Sequence, residues 1–184
     1  MKHSSNLTVA VATAVLAVLS GTAVYAQDKY SLKSPSGIAF SDFNGYEDWA
    51  VVSSARTDEV LKVIVANPTM IKAYKSGIPG NGKPFPDGSK IAKLQWNPKK
   101  STEAPFVVDV PDTFAQAFFM EKDAKRFPEG GWGYAAFKYD AAKGTFTPQT
   151  ATDAPPQGND AKCGLGCHTI VKKQDYVFTE YGKR

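Results

Sequence analysis

Near the end of the chain, Ala161-Lys162-Cys163-Gly164-Leu165-Gly166-Cys167-His168 holds both cysteines of the protein and one of its two histidines. The other histidine, His3, lies at the start. Two thiols and an imidazole in one short run restrict the possible folds more than any other stretch, because the fold must present them together. A cysteine pair followed at once by histidine is the pattern of covalent haem attachment. The thiols form thioethers with the porphyrin, and the adjacent imidazole takes the proximal position on iron. Here three residues separate the cysteines instead of the usual two, but an i,i+4 pair on a helix still shares a face. Gly164 and Gly166 would give the backbone room beside a flat ligand. A Cys163–Cys167 disulfide, or two unused thiols, is the alternative. Zinc would need two further ligands that no other Cys or mature His supplies.

Residues 1–26 have the form of a secretory signal peptide. Lys2 gives a positive start, residues 7–19 are almost wholly apolar or small, and Val24-Tyr25-Ala26 fits a small-residue cleavage site. Cleavage would leave residues 27–184 as a single domain. Export agrees with the cysteine run, since c-type haem is attached outside the bacterial cytoplasm, and a periplasmic location follows. The chain carries 22 basic and 18 acidic residues, a formal charge of +4 to which Lys2 contributes. That mild, dispersed excess suits solubility and weak attraction to an acidic redox partner, and argues against nucleic-acid binding.

The mature start, residues 27–46, is polar and rich in Gly and Ser, and reads as an irregular arm. Residues 49–54 and 60–66 are β-rich runs that predict an antiparallel pair. Asn67-Pro68 marks a helix start, with Asn67 as N-cap, and Gly77 stops that helix. The Gly- and Pro-dense residues 78–88 form a loop. Residues 89–96 predict a strand with Ile91, Lys93 and Gln95 on one face and Ala92, Leu94 and Trp96 on the other. Residues 106–110 and 113–120 are further strand candidates, the second ambiguous with helix. A helical turn over 123–127 precedes an aromatic strand over 132–139, whose hairpin partner is 145–149. A Pro-bearing linker over 150–158 leads to a short helix that begins near Asn159 and carries the cysteine run. The fold class is α+β, mainly antiparallel sheet with a few short helices and haem near the C-terminus.

The chain resembles the cytochrome P-460 family, small exported mono-haem c proteins that include the cytochrome c-prime-beta branch. The resemblance is carried by Phe85-Pro86-Asp87-Gly88 before a Lys-bearing strand, by Gly130-Gly131-Trp132-Gly133-Tyr134, and by Cys163 through Gln174-Asp175-Tyr176-Val177-Phe178-Thr179. It implies a mostly antiparallel fold, commonly a homodimer, with an open distal site. In the hydroxylamine-oxidising branch a lysine is covalently joined to the porphyrin edge. In the other branch that bond is absent and nitric oxide or carbon monoxide binds. Lys93 matches the linking position, with Lys90 on the opposite face as the fallback. Without the family, Lys93 reads as a solvated strand lysine.

With His168 used, no mature histidine remains to block the sixth coordination position. Met70 and Met120, the other candidate ligands, read as core filler. An open iron favours small-molecule chemistry over pure electron transfer. The resemblance implies oxidation of hydroxylamine to nitrous oxide, with electrons passed to an external redox protein. A gas-binding cytochrome and a haem-free secreted β domain with a local disulfide are the other readings. Glu103, Asp109, Asp112 and Glu121 are candidate proton acceptors. Phe106, Phe114, Phe118, Phe119, Trp132 and Phe137 are candidate walls of a distal pocket.

Overall fold

In the computed structural model the described residues are 27–149 and 161–182. The expected leader, the 150–158 linker and the helix start near Asn159 lie outside them. Six strands form one antiparallel sheet in sequence order: β1 (Ala50–Arg56), β2 (Leu61–Ala66), β3 (Lys90–Lys100), β4 (Asp109–Lys122), β5 (Trp132–Asp140) and β6 (Thr145–Pro148). Two α-helices, α1 (Pro68–Lys75) and α2 (Ala161–His168), and short 3₁₀ segments complete the mixed, mainly antiparallel fold.

Local signals account for most element ends. Asn67 accepts the backbone N–H of Met70 at 3.1 Å, and Pro68 opens α1. Gly77 ends it at φ +90°, a conformation that costs glycine little. The turn over 123–127 closes through the Phe127 N–H on the Asp123 carbonyl. The two expected strands over 106–110 and 113–120 are corrected to the single strand β4. Pro111 does not break it, because Pro98 stands opposite where the β3–β4 register shifts. Two residues without N–H groups face each other there, so no ladder donor is left unmatched. Phe106 falls outside the strand and is 70% exposed.

The larger departure is the N-terminal arm. Residues 27–46 are not a loose lead-in. Three 3₁₀ segments, Lys29–Ser31, Phe40–Phe43 and Tyr46–Asp48, fold across one face of the sheet. Ile38, Phe40 and Phe43 are wholly buried there among Ala92, Ala117, Phe119 and Phe137. Phe43 stacks on Phe119 with centroids 4.1 Å apart, and Phe40 meets Phe137 edge-on at 4.9 Å. Such contacts add to plain area burial. The second face is covered by α1, Phe85, Leu165, Tyr176 and Val177, which pack on Ile64, Ile91, Met120, Trp132 and Tyr134.

Phe43→Ala is therefore expected to cost about 3–5 kcal/mol of unfolding free energy, as for a buried aromatic. Phe106→Ala should change it by less than about 0.5 kcal/mol. Denaturant titration of both variants measures the contrast.

Candidate functional site

The register of the sheet builds the floor of the site. Ile64, Lys93, Phe118 and Ala136 stand opposite one another on β2, β3, β4 and β5. Ala66, Ile91, Met120 and Tyr134 form the next row on the same face. Over this floor lies a cavity of about 330 Å³, within the range of about 300–1,000 Å³ usual for ligand clefts. Gly164, Cys167 and His168 of α2 form one wall, and Val177, Phe178 and Thr179 of the C-terminal segment another.

Helix α2 approaches β5 closely because residue 164 has no side chain. A Cβ there would lie 2.4 Å from Cγ of Tyr134. Gly166 meets nothing within 4 Å. Only one of the two glycines creates room, and among the described residues its close neighbour is Tyr134. His168 is half-buried, its ring 5.0 Å from that of Tyr134 and 4.9 Å from that of Phe178. His168 Nδ1 lies 2.6 Å from the Tyr176 carbonyl oxygen. A carbonyl only accepts, so Nδ1 carries the proton and donates, and Nε2 keeps its lone pair. That is the tautomer an axial ligand requires. Burial lowers the imidazole pKa from its ordinary value, the Tyr176 carbonyl partly opposes this, and the Lys93 charge lowers it further.

Lys93 lines the same cavity as Cys167 and His168. Its Nζ lies 4.1 Å from the centroid of Phe118. Its pKa is lowered from 10.5 to about 8, chiefly by burial and then by the Lys62 charge, with Cys167 opposing the shift. The bare strand reading of Lys93 as a solvated side chain is therefore corrected: alternation gave its face, and the C-terminal segment covers that face. Lys90 is committed elsewhere. Its Nζ donates to the Asp42 carbonyl at 2.5 Å and lies 3.3 Å from Glu121.

None of the four candidate acids lines the cavity. Asp109 pairs with Arg56 and Lys100, each at 2.8 Å, and Asp112 with Lys99 at 3.1 Å. Glu121 pairs with Arg126 at 2.8 Å as well as Lys90. Glu103 accepts from the Thr102 hydroxyl. Met70 is core filler in α1, whereas Met120 packs in the core and also lines the cavity. Of the six candidate aromatics, Phe118 and Phe119 reach the cavity. Phe114 and Phe137 belong to the opposite face, and Trp132 packs beside the site without lining it.

Lys62 and Tyr134 line the cavity although neither has a role at the site in the sequence reading, whereas Phe178 lies in the terminal run whose apolar surface is expected beside a porphyrin or the sheet. Lys62 carried a signal, since it shares the parity of Ile64 in an otherwise apolar run. The Tyr134 hydroxyl is buried without a hydrogen-bond partner. Burial raises its pKa, and Tyr176 and Asp175 reinforce the shift. Cys167 is a free, exposed thiol next to His168. Residue 163 lies one helical turn earlier on the α2 backbone, and its side chain is outside the described part of the structure. An imidazole with a free Nε2, an adjacent thiol and a largely apolar floor fit the donor set of a covalently bound haem.

A profile of the Cytochrome P460 family matches residues 43–179. The chain belongs to this family. No curated protein matches the chain. Membership makes it a haem-binding cytochrome of the hydroxylamine-oxidising or c-prime-beta kind. The matched span begins at Phe43, whose ring anchors the N-terminal arm, and ends at Thr179 on the cavity wall. Every residue of the family cytochrome discussed above for the cofactor falls inside it.

Two predictions follow from this geometry. Gly164→Ala should push α2 off Tyr134 and sharply reduce haem incorporation, while Gly166→Ala should load normally and gain up to about 1 kcal/mol from helix propensity. Haem content per protein in the purified variants checks this. The second concerns pH. The folded-state pKa of Lys93 lies below its unfolded value, so between about pH 8 and 10.5 the unfolded chain binds more protons at this site. In haem-free protein, stability relative to Lys93→Met should rise through that window by at most about 1.4 kcal/mol per pH unit. Urea unfolding across the window tests the sign.

Proposed function

We propose that this cytochrome oxidises hydroxylamine at a haem c held by Cys163, Cys167 and His168, with Lys93 as a third covalent anchor. The observation that carries the proposal is the placement of Lys93. Its amine shares a half-buried cavity with the axial imidazole and the neighbouring thiol. Its pKa, lowered from 10.5 to about 8, raises the neutral, nucleophilic share of the amine near neutral pH well above that of an ordinary lysine. When bound, the haem supplies a redox-active iron with a coordination position for a small nitrogenous substrate. The chain's part is to hold the iron through Nε2 of His168 and to surround the site with Ile64, Ile91, Phe118 and Val177. Electrons would leave to an external redox protein, in an exported, homodimeric cytochrome cleaved after about Ala26.

One observation favours a second reading, a cytochrome that binds nitric oxide or carbon monoxide without the lysine bond. Oxidising hydroxylamine removes protons, which calls for a base within reach. Among the described residues no carboxylate lines the cavity. Binding a diatomic gas requires no proton acceptor, and the apolar walls suit it equally well.

Peptide mapping of the purified cytochrome separates the two. The first reading expects porphyrin on three chain positions, and expects Lys93→Ala to give an ordinary c-type spectrum with hydroxylamine turnover at background. Porphyrin on two positions, with gas binding and no turnover in wild type, selects the second. Cys163→Ser combined with Cys167→Ser should abolish the haem stain on a denaturing gel. A wild type matured with haem that does not stain removes both readings.

A further inference from the structure

We infer that the buried Lys122–Asp175 ion pair is a positioning device that sets the donor strength of His168 through the Tyr176 carbonyl. The inference rests on the reading of His168 as the axial ligand of a bound haem. The backbone around the pair gives the first indication. Asp175 and Tyr176 both have positive φ, at 50° and 64°, and neither is glycine. Consecutive residues in that region are strained and persist only where their surroundings over-determine them. Their effect is to turn the Tyr176 carbonyl onto His168 Nδ1 at 2.6 Å.

What holds the turn comes from three separate parts of the chain. Lys122, the last residue of β4, places Nζ 2.7 Å from Asp175 Oδ1, with the side chains only 8% and 12% exposed. Asp175 Oδ2 accepts the backbone N–H of Phe85 at 2.7 Å. Lys122 Nζ also donates to the Gly130 carbonyl at 3.3 Å and lies 5.2 Å from the Trp132 centroid. Glycine at 130 leaves space for the Tyr176 ring, since a Cβ there would lie 3.0 Å from Cζ of that tyrosine. The carboxylate is thus fixed by a charge from one face of the sheet and by an N–H from the loop before β3. It has no contact with His168 among those described. It acts one residue away, through the carbonyl that follows.

The chemical consequence follows from ligand basicity. A strong hydrogen bond from Nδ1–H pushes electron density onto Nε2 and makes the imidazole a better donor. Better donation favours the ferric state, so loosening the turn should weaken the iron–histidine bond and raise the reduction potential.

The test uses haem-loaded protein and reads the ferrous iron–histidine stretching frequency by resonance Raman, with the midpoint potential by titration. Asp175→Asn removes the charge yet tolerates positive φ, and Lys122→Met removes the other partner. Both variants should lower the stretching frequency and raise the potential. The double variant should move neither beyond the single ones, and Lys122→Arg should stay near wild type. Haem content and thermal midpoint, measured alongside, identify loss of fold. Should Asp175→Asn not load, Lys122→Met against Lys122→Arg carries the comparison. Frequencies and potentials that match wild type in loaded charge-removing variants overturn the inference while leaving His168 as ligand. A wild type with no histidine-bound iron overturns the inference together with the reading beneath it.

Discussion

The sheet buries both faces, and the rest of the molecule is arranged by that requirement. An antiparallel sheet often leaves one face to solvent. Here residues 132–137 of β5 are buried without interruption. One cover is the N-terminal arm, whose Phe40 and Phe43 pack directly on β4 and β5. The other comprises α1, α2 and the C-terminal segment. The first cover is aromatic and closely packed. The second is drawn over the sheet by Val177, Tyr176 and Leu165, and between it and the strands lies the cavity. The floor of the site is consequently the back of a well-packed core. Its row of Ile64, Lys93 and Phe118 inherits the rigidity of four hydrogen-bonded strands.

Features written in neighbouring residues were legible in the sequence. Asn67-Pro68 capped a helix, the hairpin across residues 141–144 joined two strands, and the Cys/His run lay on a helix. Features set by distant partners were not. Ile38, Phe40 and Phe43 sit among polar and Gly residues, and only the aromatic face of β4 and β5 makes them core. Pro111 reads as a strand breaker until Pro98 is found opposite. Lys93 shows the limit most clearly. Period-two alternation placed it with Ile91, but no local pattern states that the terminal segment returns over that face. Gly164 is similar: its use was visible as a need for space, and the claimant, Tyr134, lies thirty residues earlier on another element.

Charge is distributed unevenly around the site. Of the acids named from the sequence, Asp109, Asp112 and Glu121 are engaged in ion pairs with Arg56, Lys90, Lys99, Lys100 and Arg126, and Glu103 accepts from Thr102. The cavity keeps Lys62 and Lys93, with no carboxylate among its described lining. A half-buried ammonium beside a second ammonium and apolar walls is penalised each time it is charged. The balance is shifted toward the neutral amine, the form in which a lysine is a nucleophile. The free energy behind that shift comes first from burial under the C-terminal cover and then from the Lys62 charge, so the lowered pKa of this amine is a property of the fold.

The three-residue gap between the cysteines can be placed in the same frame. On an α-helix, positions four apart differ in direction by about 40°, against about 60° for positions three apart, and are about 1.5 Å further along the axis. Direction therefore improves while reach worsens. An adjustment of the helix would have to supply that reach, and two contacts of α2 constrain where it falls. Gly164 is pinned against Tyr134, and His168 is pinned by the Tyr176 carbonyl. Gly166 stands in open space immediately before Cys167. A helix of eight residues with two glycines has little stability of its own. It is held from outside at Gly164 and His168, and the open space around Gly166 lets the backbone between them shift with or without a Cβ at that position.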